Sequence, residues 1–151
     1  MTLRFPYRLR RTNKAIWTLG GRWVRPRPII MATLIGPTGT YPRLSLLDPA
    51  ADDTVFPQQA AAQIGLDLGS APMGEAAGVG GAKMLVRYAE ATLRVTDGRE
   101  FREWVARIAF SPARLNQPLL GFAGFLQFFG AHFFGDREEV ELTVNSLYTG
   151  T

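Results

Sequence analysis

The fold is decided by one stretch of the sequence, which runs Leu46-Leu47-Asp48-Pro49-Ala50-Ala51-Asp52-Asp53-Thr54-Val55-Phe56-Pro57. An apolar run leads into one acidic residue, and a turn of small residues, two further carboxylates and a second apolar pair follow. This order predicts that Asp48 lies at the end of a strand, beside apolar side chains. Carboxylates placed in such surroundings are common among catalytic groups, so Asp48 is the first candidate for chemistry.

The composition limits the chemistry that the rest of the chain can supply. Its 151 residues, 46% hydrophobic and 20% charged, predict one globular domain with a sizeable core. The absence of cysteine excludes disulfides, thiolate metal sites and a cysteine nucleophile, and it is compatible with a reducing, cytoplasmic location. The single histidine, His132, argues against a metal centre or a Ser-His-Asp triad. Carboxylates remain as catalytic groups, and we expect no cofactor or metal.

Positive charge is concentrated at the N-terminus. Residues 1–30 carry eight basic residues and no acid, so the remainder of this chain of net charge +4 sums to −4. No apolar run approaches the ~20 residues that a membrane span requires. The apolar stretch 15–19 is also shorter than the ~7–15-residue core of a secretory signal. We therefore predict a basic N-terminal arm at 1–26 and no membrane partner.

Two interpretations of the arm remain open. Its arginines alternate with aromatic residues, including Trp17 and Trp23, which predicts one or two short strands. The arm could pack on the domain with its arginines solvated, or it could bind nucleic acid through phosphate contacts and base stacking. The sequence favours packing, so nucleic acid is the less favoured partner.

The remainder of the chain has the pattern of an all-β domain with one or two short helices. Alternating or continuous apolar runs separated by turn residues predict three hairpins, from the pairs 29–35 with 41–47, 84–95 with 100–110, and 131–134 with 140–144. The Ala-rich segment 58–64, followed by Gly65, predicts a short helix with a glycine stop. Phe122, Phe125, Leu126 and Phe129 are spaced as one apolar helix face that packs in the core.

The segment 46–55 resembles the active-site segment of the retropepsin-like aspartic peptidases, the family of the retroviral proteases. The usual form in that family is two apolar residues, Asp, Thr or Ser, Gly, Ala, Asp, Asp, Thr and Val. The chain matches at Leu46, Leu47, Asp48, Ala51, Asp52, Asp53, Thr54 and Val55. It departs from the pattern at Pro49, where the family has Thr or Ser, and at Ala50, where the family has Gly.

Two later segments extend the resemblance in the family's order. The glycine-rich stretch 74–81 is by itself typical of a hairpin tip, and its end, 78–81, is similar to the tip of the family's flap. Leu119, Leu120 and Gly121 are similar to the motif that threads past the family's catalytic loop. The resemblance implies that residues 27–145 form a retropepsin-like domain, a closed β-barrel with a flap hairpin. Residues 146–151 then form a C-terminal tail.

The same resemblance implies a function. Such an aspartic endopeptidase hydrolyses peptide bonds with a water activated between two carboxylates, and because one chain offers only Asp48, it implies a homodimer. Residues that would bind an extended peptide or protein substrate are Ala51, Asp52, Asp53, Gly78, Val79, Gly80 and Gly81. Asp52 and Asp53 could equally cap the turn.

Two alternatives to the peptidase stay open from the sequence. The departures at Pro49 and Ala50 are compatible with a catalytically impaired module that keeps the fold and the dimer and binds a peptide without cutting it. The basic arm is compatible with a nucleic-acid-associated β-domain.

Overall fold

The computed structural model describes residues 2–77 and 82–151, which are mainly β-strand with one short α-helix, and this confirms the all-β class. The helix α1 spans Gln58–Ile64. The strands are β1 Thr2–Pro6, β2 Arg8–Ile16, β3 Arg22–Arg27, β4 Ile29–Ile35, β5 Thr40–Leu47, β6 Val55–Pro57, β7 Met73–Ala77, β8 Lys83–Thr96, β9 Phe101–Ser111, β10 Leu119–Leu120, β11 Phe129–Phe134 and β12 Glu139–Val144. Gly78, Val79, Gly80 and Gly81 lie outside the described residues.

The largest sheet has the strand order β4-β5-β10-β6-β9-β8-β7. Because β4 also pairs with β8, six of these strands form a closed ring, and β7 extends it from β8. Alternate residues of each strand point to the inside of the ring, which is why the apolar positions recur with a period of two. The core there is filled by buried side chains that include Ala32, Leu34, Leu93, Val95, Ile108 and Phe110.

The three predicted hairpins are all present, as β4–β5, β8–β9 and β11–β12. Local chemistry accounts for the turn of the second one. Gly98 has a φ of +88°, and the Asp97 carboxylate accepts the backbone N–H groups of Arg99 and Glu100 at 2.9 Å. The predicted helix at 58–64 is also present and ends at Gly65, whose φ of +83° suits glycine.

The helix predicted from Phe122 to Phe129 is wrong for most of its length. Only a three-residue 3-10 turn forms there, at Leu126–Phe128, and the Phe122 side chain is 59% exposed instead of packing in the core. Gly124, with a φ of +89°, breaks the helical path. The Ala123 carbonyl, which would accept the Gln127 N–H in an α-helix, accepts the N–H and the hydroxyl of Thr54 instead.

A second sheet has the order β1-β12-β11 and brings the two ends of the chain together. Leu3 and Phe5 of β1 are buried in the core, as are Val140 and Leu142 of β12. The predicted arm contains three strands, not one or two, because β2 and β3 pair with each other as a separate two-stranded ribbon. No helix in the described part of the chain has the length and apolarity needed to cross a membrane.

Candidate functional site

Asp48 follows directly on strand β5, and strand β10 fixes its position. Leu46 and Leu47 pair in parallel with Leu119 and Leu120. The Asp48 N–H then donates to the carbonyl oxygen of Leu120 at 3.1 Å. The side chain is half-buried. The prediction that Asp48 lies at the end of a strand is therefore confirmed.

The residues after β5 form a tight turn that suits their sequence. The Asp48 carbonyl accepts the N–H of Ala51 at 3.1 Å, and its carboxylate Oδ1 accepts the N–H of Ala50 at 3.0 Å. Asp is favoured at the first position of such a turn, and Pro, with its fixed φ, at the second. The N–H that Pro49 lacks is thus not needed within the turn.

Ala50 does not strain the backbone. Among the described residues other than glycine, only Glu138 has a positive φ, so the backbone at Ala50 is accessible to a residue with a Cβ. Replacing the family's Gly with Ala therefore carries no left-handed strain at this position. Both departures from the motif are accommodated by the local geometry of the turn.

Strand β10 runs between the two strands that flank the turn. Leu119 pairs in parallel with Leu46 of β5 and antiparallel with Val55 of β6. Beyond it, the N–H of Phe122 donates to the Ala51 carbonyl at 2.9 Å and that of Ala123 donates to the Asp52 carbonyl at 2.8 Å. The loop that carries the carboxylates is thus hydrogen-bonded along one side to a segment about seventy residues later.

Gly121 makes this crossing possible. A Cβ built at Gly121 would lie 2.6 Å from the carbonyl oxygen of Ala51, and it would also clash with the carbonyl oxygen of Asp53. Contacts that close with backbone atoms cannot be relieved by turning a side chain. Glycine is therefore required for the two segments to approach each other.

The pair Asp52 and Asp53 lies on the other arm of the loop, before β6. Asp52 is exposed and Asp53 is half-buried. Burial raises the pKa of the Asp53 carboxyl above its usual value, and the neighbouring charge of Asp52 raises it further. Within the described part of the chain, no hydrogen bond reaches either carboxylate, whereas the Thr54 hydroxyl donates to the Ala123 carbonyl at 2.8 Å. The side chain that anchors the loop is therefore Thr54, not Asp52 or Asp53.

A small apolar cluster surrounds Val55, the first residue of β6, and includes residues of β7 and β8. Val55, Val86 and Ala109 are buried in it. Its partly buried members are Ala76, Met84, Tyr88, Leu115 and Leu119. Ala76 of β7 pairs with Met84 of β8, and both pack against the cluster around Val55, so this hairpin packs near the start of β6. Sequence reasoning places the hairpin there only through the family resemblance.

Tyr88 is a site residue that sequence reasoning missed. Its phenol has a pKa raised by burial and, secondarily, by the charge of Asp53. The ring packs against the cluster that contains Val55, two residues after Asp53. Nothing in its sequence neighbourhood marks Tyr88, since one Tyr in a long strand has no motif of its own.

Neither a metal nor a sequence relative identifies the site. In residues 2–77 and 82–151, no group of three or more His, Cys, Asp or Glu side chains could hold a metal ion. No protein-family model matches the chain, and no curated protein is significantly similar to it. Function must be inferred from the geometry of the turn and its neighbours.

Proposed function

We propose that this chain is a retropepsin-like aspartic endopeptidase that acts as a homodimer. The observation that carries the proposal is the turn Asp48–Ala51 at the end of β5, with β10 running between β5 and β6 beneath it. This arrangement agrees with the threading that the resemblance implies for Leu119-Leu120-Gly121. The closed ring of strands supports the barrel-type fold.

The reaction needs a second carboxylate facing Asp48, and a symmetry mate supplies it. Asp52 and Asp53 are adjacent residues on the opposite arm of the loop, which bonds to Ala123, and adjacent residues in a turn do not present a symmetric pair with Asp48. A twofold axis beside the exposed residues Pro49 and Ala50 brings two copies of the same turn together. Two carboxylates a few ångströms apart cannot both ionise cheaply, so they share one proton.

The proton distribution in this pair defines the chemistry. The ionised Asp48 takes a proton from a bound water, which attacks the carbonyl carbon of the scissile peptide bond. The protonated Asp48 of the partner subunit donates to the carbonyl oxygen as the tetrahedral intermediate forms. Collapse of that intermediate transfers a proton to the leaving nitrogen and breaks the C–N bond. Because water and two carboxylates suffice, the proposal requires no cofactor.

The surroundings of the turn suit an extended peptide. The carboxylates of Asp52 and Asp53 are open to backbone N–H groups, and the cluster around Val55 offers an apolar wall for alternate side chains. In the proposal, the β7–β8 hairpin covers the peptide, and Gly78, Val79, Gly80 and Gly81 keep the substrate-binding role that the resemblance implies. Glycine suits such a role because it tolerates close approach to a substrate backbone.

One feature favours a second candidate, a module that binds peptides without cutting them. In the family, the hydroxyl after the Asp hydrogen-bonds across the dimer and braces the two turns, and Pro49 has no hydroxyl. The turn itself is well formed within one chain, but its contact with the partner turn lacks this brace. Positioning of the two carboxylates to within about half an ångström is what catalysis depends on.

The test is cleavage of a peptide library by the purified full-length protein at about pH 4–6, where a shared proton is retained. We expect pepstatin-sensitive cleavage, and we expect Asp48→Asn to lower its rate by at least about 100-fold because it removes the acid–base pair. Asp67→Asn is the matched control, since Asp67 is an exposed acid in a different loop, and it should leave the rate unchanged.

The double variant Pro49→Thr/Ala50→Gly separates the two candidates. If the wild type binds peptides without cutting them and the double variant cuts, the chain is the binding module. If neither protein cuts or binds any peptide of the library, both candidates are wrong.

A further inference from the structure

The ribbon of β2 and β3 presents four arginines on one of its faces. Arg8 pairs with Arg27 and Arg10 pairs with Arg25, and side chains of directly opposed residues project to the same side of a two-stranded sheet. We call these four residues the basic face. In the described part of the chain, no acidic side chain lies within salt-bridge distance of any of them.

The ribbon contacts the domain through Arg22, on its opposite face. Arg22 forms a bidentate ion pair with Glu138, in the turn between β11 and β12. The N–H of Tyr7, just before β2, donates to the Glu138 carbonyl at 2.7 Å. Along β3, Arg22 and Val24 are half-buried, whereas Trp23 and Arg25 are exposed. Of the basic face, Arg8, Arg10 and Arg25 are therefore exposed to solvent, and Arg27 is half-buried.

Two tryptophans accompany the arginines. Trp23 alternates with Arg25 and Arg27 on the same side of β3 and is 50% exposed. Trp17 begins the 3-10 turn Trp17–Leu19 at the tip of the ribbon and is 89% exposed. Large aromatic side chains left in water beside a row of cations are what stacking on unpaired bases requires.

We propose that the basic face and the two tryptophans bind single-stranded nucleic acid. Like charges placed directly opposite each other weaken a strand pair, and a row of phosphates neutralises the four arginines. The exposed indoles stack on the bases of a single strand. In a duplex the bases stack on each other and are not available to the indoles. Contact between two ribbons across a dimer axis is disfavoured because both carry the same charge. The inference is independent of whether the chain cleaves peptides.

The test uses the full-length protein and a fluorescein-labelled, mixed-sequence single-stranded DNA, with binding followed by fluorescence anisotropy at several salt concentrations. We expect the logarithm of the association constant to fall with the logarithm of salt concentration with a slope of about −3, from four phosphates on a single strand. Arg10→Gln/Arg25→Gln should reduce that slope by about half and weaken binding at low salt at least about tenfold.

Two further variants separate charge from stacking. Arg43→Gln/Arg99→Gln removes the same charge from exposed positions outside the ribbon and should leave binding unchanged. Trp23→Leu should weaken binding about tenfold without altering the salt slope. Thermal unfolding of each variant checks that the fold is retained.

Several results would overturn the proposal. Tighter binding to a duplex of the same length would contradict single-strand recognition. Binding only to phosphatidylserine vesicles would assign the face to a membrane surface. Dissociation of a dimer by Arg10→Gln/Arg25→Gln, without any effect on DNA binding, would assign it to a second copy of the chain. Equal weakening by the control pair would show that net charge alone is responsible.

Discussion

Gly121 and Asp53 show how single residues set the properties of the loop that carries the carboxylates. Gly121 allows two backbone segments to cross at a distance that no side chain would permit. The same crossing raises the pKa of Asp53, because the loop becomes partly buried when it is held against β10. Gly121 is therefore required for steric reasons, and the pKa of Asp53 reports how far the loop is buried.

Gly121→Ala is expected to destabilise the protein by about 1–3 kcal/mol, the usual effect of forcing an extra methyl group into a packed region. The added Cβ would lie 2.6 Å from the Ala51 carbonyl oxygen, so the loop itself must move. Urea unfolding measures the change. Gly135→Ala is the matched control, because a Cβ there meets nothing within 4 Å, and equal effects of the two substitutions would contradict this account.

The pKa of Asp53 is raised in the folded protein, first by burial and second by Asp52. A carboxyl with a raised pKa favours the fold below its unfolded pKa, and this contribution is lost as the pH rises through the folded pKa. Asp53→Asn should therefore gain stability relative to wild type as the pH rises from about 3 to about 7. Thermal unfolding across that range measures it.

A carboxyl NMR titration provides the independent check on Asp53. Asp52→Asn should lower the pKa of Asp53 without returning it to its usual value, because burial is the larger cause and remains. A pKa of Asp53 that does not respond to Asp52→Asn would show that the two carboxylates do not interact.

At the scale of elements, the ribbon of β2 and β3 is the least supported part of the fold. An isolated two-stranded ribbon is marginally stable in water, and this one also carries directly opposed arginines. Its contacts with the domain include the ion pair between Arg22 and Glu138 and the backbone hydrogen bond from Tyr7. These contacts determine how readily the ribbon unfolds locally while the barrel stays folded.

Arg22→Gln should release the ribbon and speed amide hydrogen exchange across residues 8–27 several-fold, while exchange in β8 and β9 stays unchanged. Hydrogen exchange followed by mass spectrometry measures both regions in one experiment. Arg25→Gln removes the same charge from the exposed face of the same strand, and it should not speed exchange. Equal acceleration by both variants would show that the ion pair does not hold the ribbon.

At the scale of the whole molecule, the proposed chemistry depends on symmetry. Each chain contributes one Asp48, so the reactive pair exists only in a dimer with the two turns in contact. A monomer would hold the same turn and the same hydrogen bonds but would have no second carboxylate to share the proton.

Mixing subunits tests this dependence. When equal amounts of wild type and Asp48→Asn chains are exchanged, we expect activity to fall to about one quarter of that of the same total of wild type, since hybrid dimers lack one acid. Activity that falls only to about one half would mean that each chain works alone. Asp67→Asn chains, mixed in the same way, should cause no loss.

The sequence by itself determined the local features of this protein. Alternation of apolar residues predicts the paired strands. Gly65 marks the end of α1 and Gly98 the turn between β8 and β9, and both have a positive φ, which glycine adopts most readily. The placement of Asp48 at a strand end follows from the same local pattern. These features are predictable because the facing of a side chain repeats with the period of its own element.

Only the tertiary structure decided what meets across long distances in the chain. The segment after β10 fails to form the predicted helix because the Ala123 carbonyl accepts hydrogen bonds from Thr54, and no local periodicity encodes such a partner. The packing of Tyr88 against the cluster around Val55 and the exposure of most of the basic face arise in the same way. The pairing of backbone groups in hydrogen bonds depends on strand register and packing. Side-chain periodicity indicates only which residues face the core.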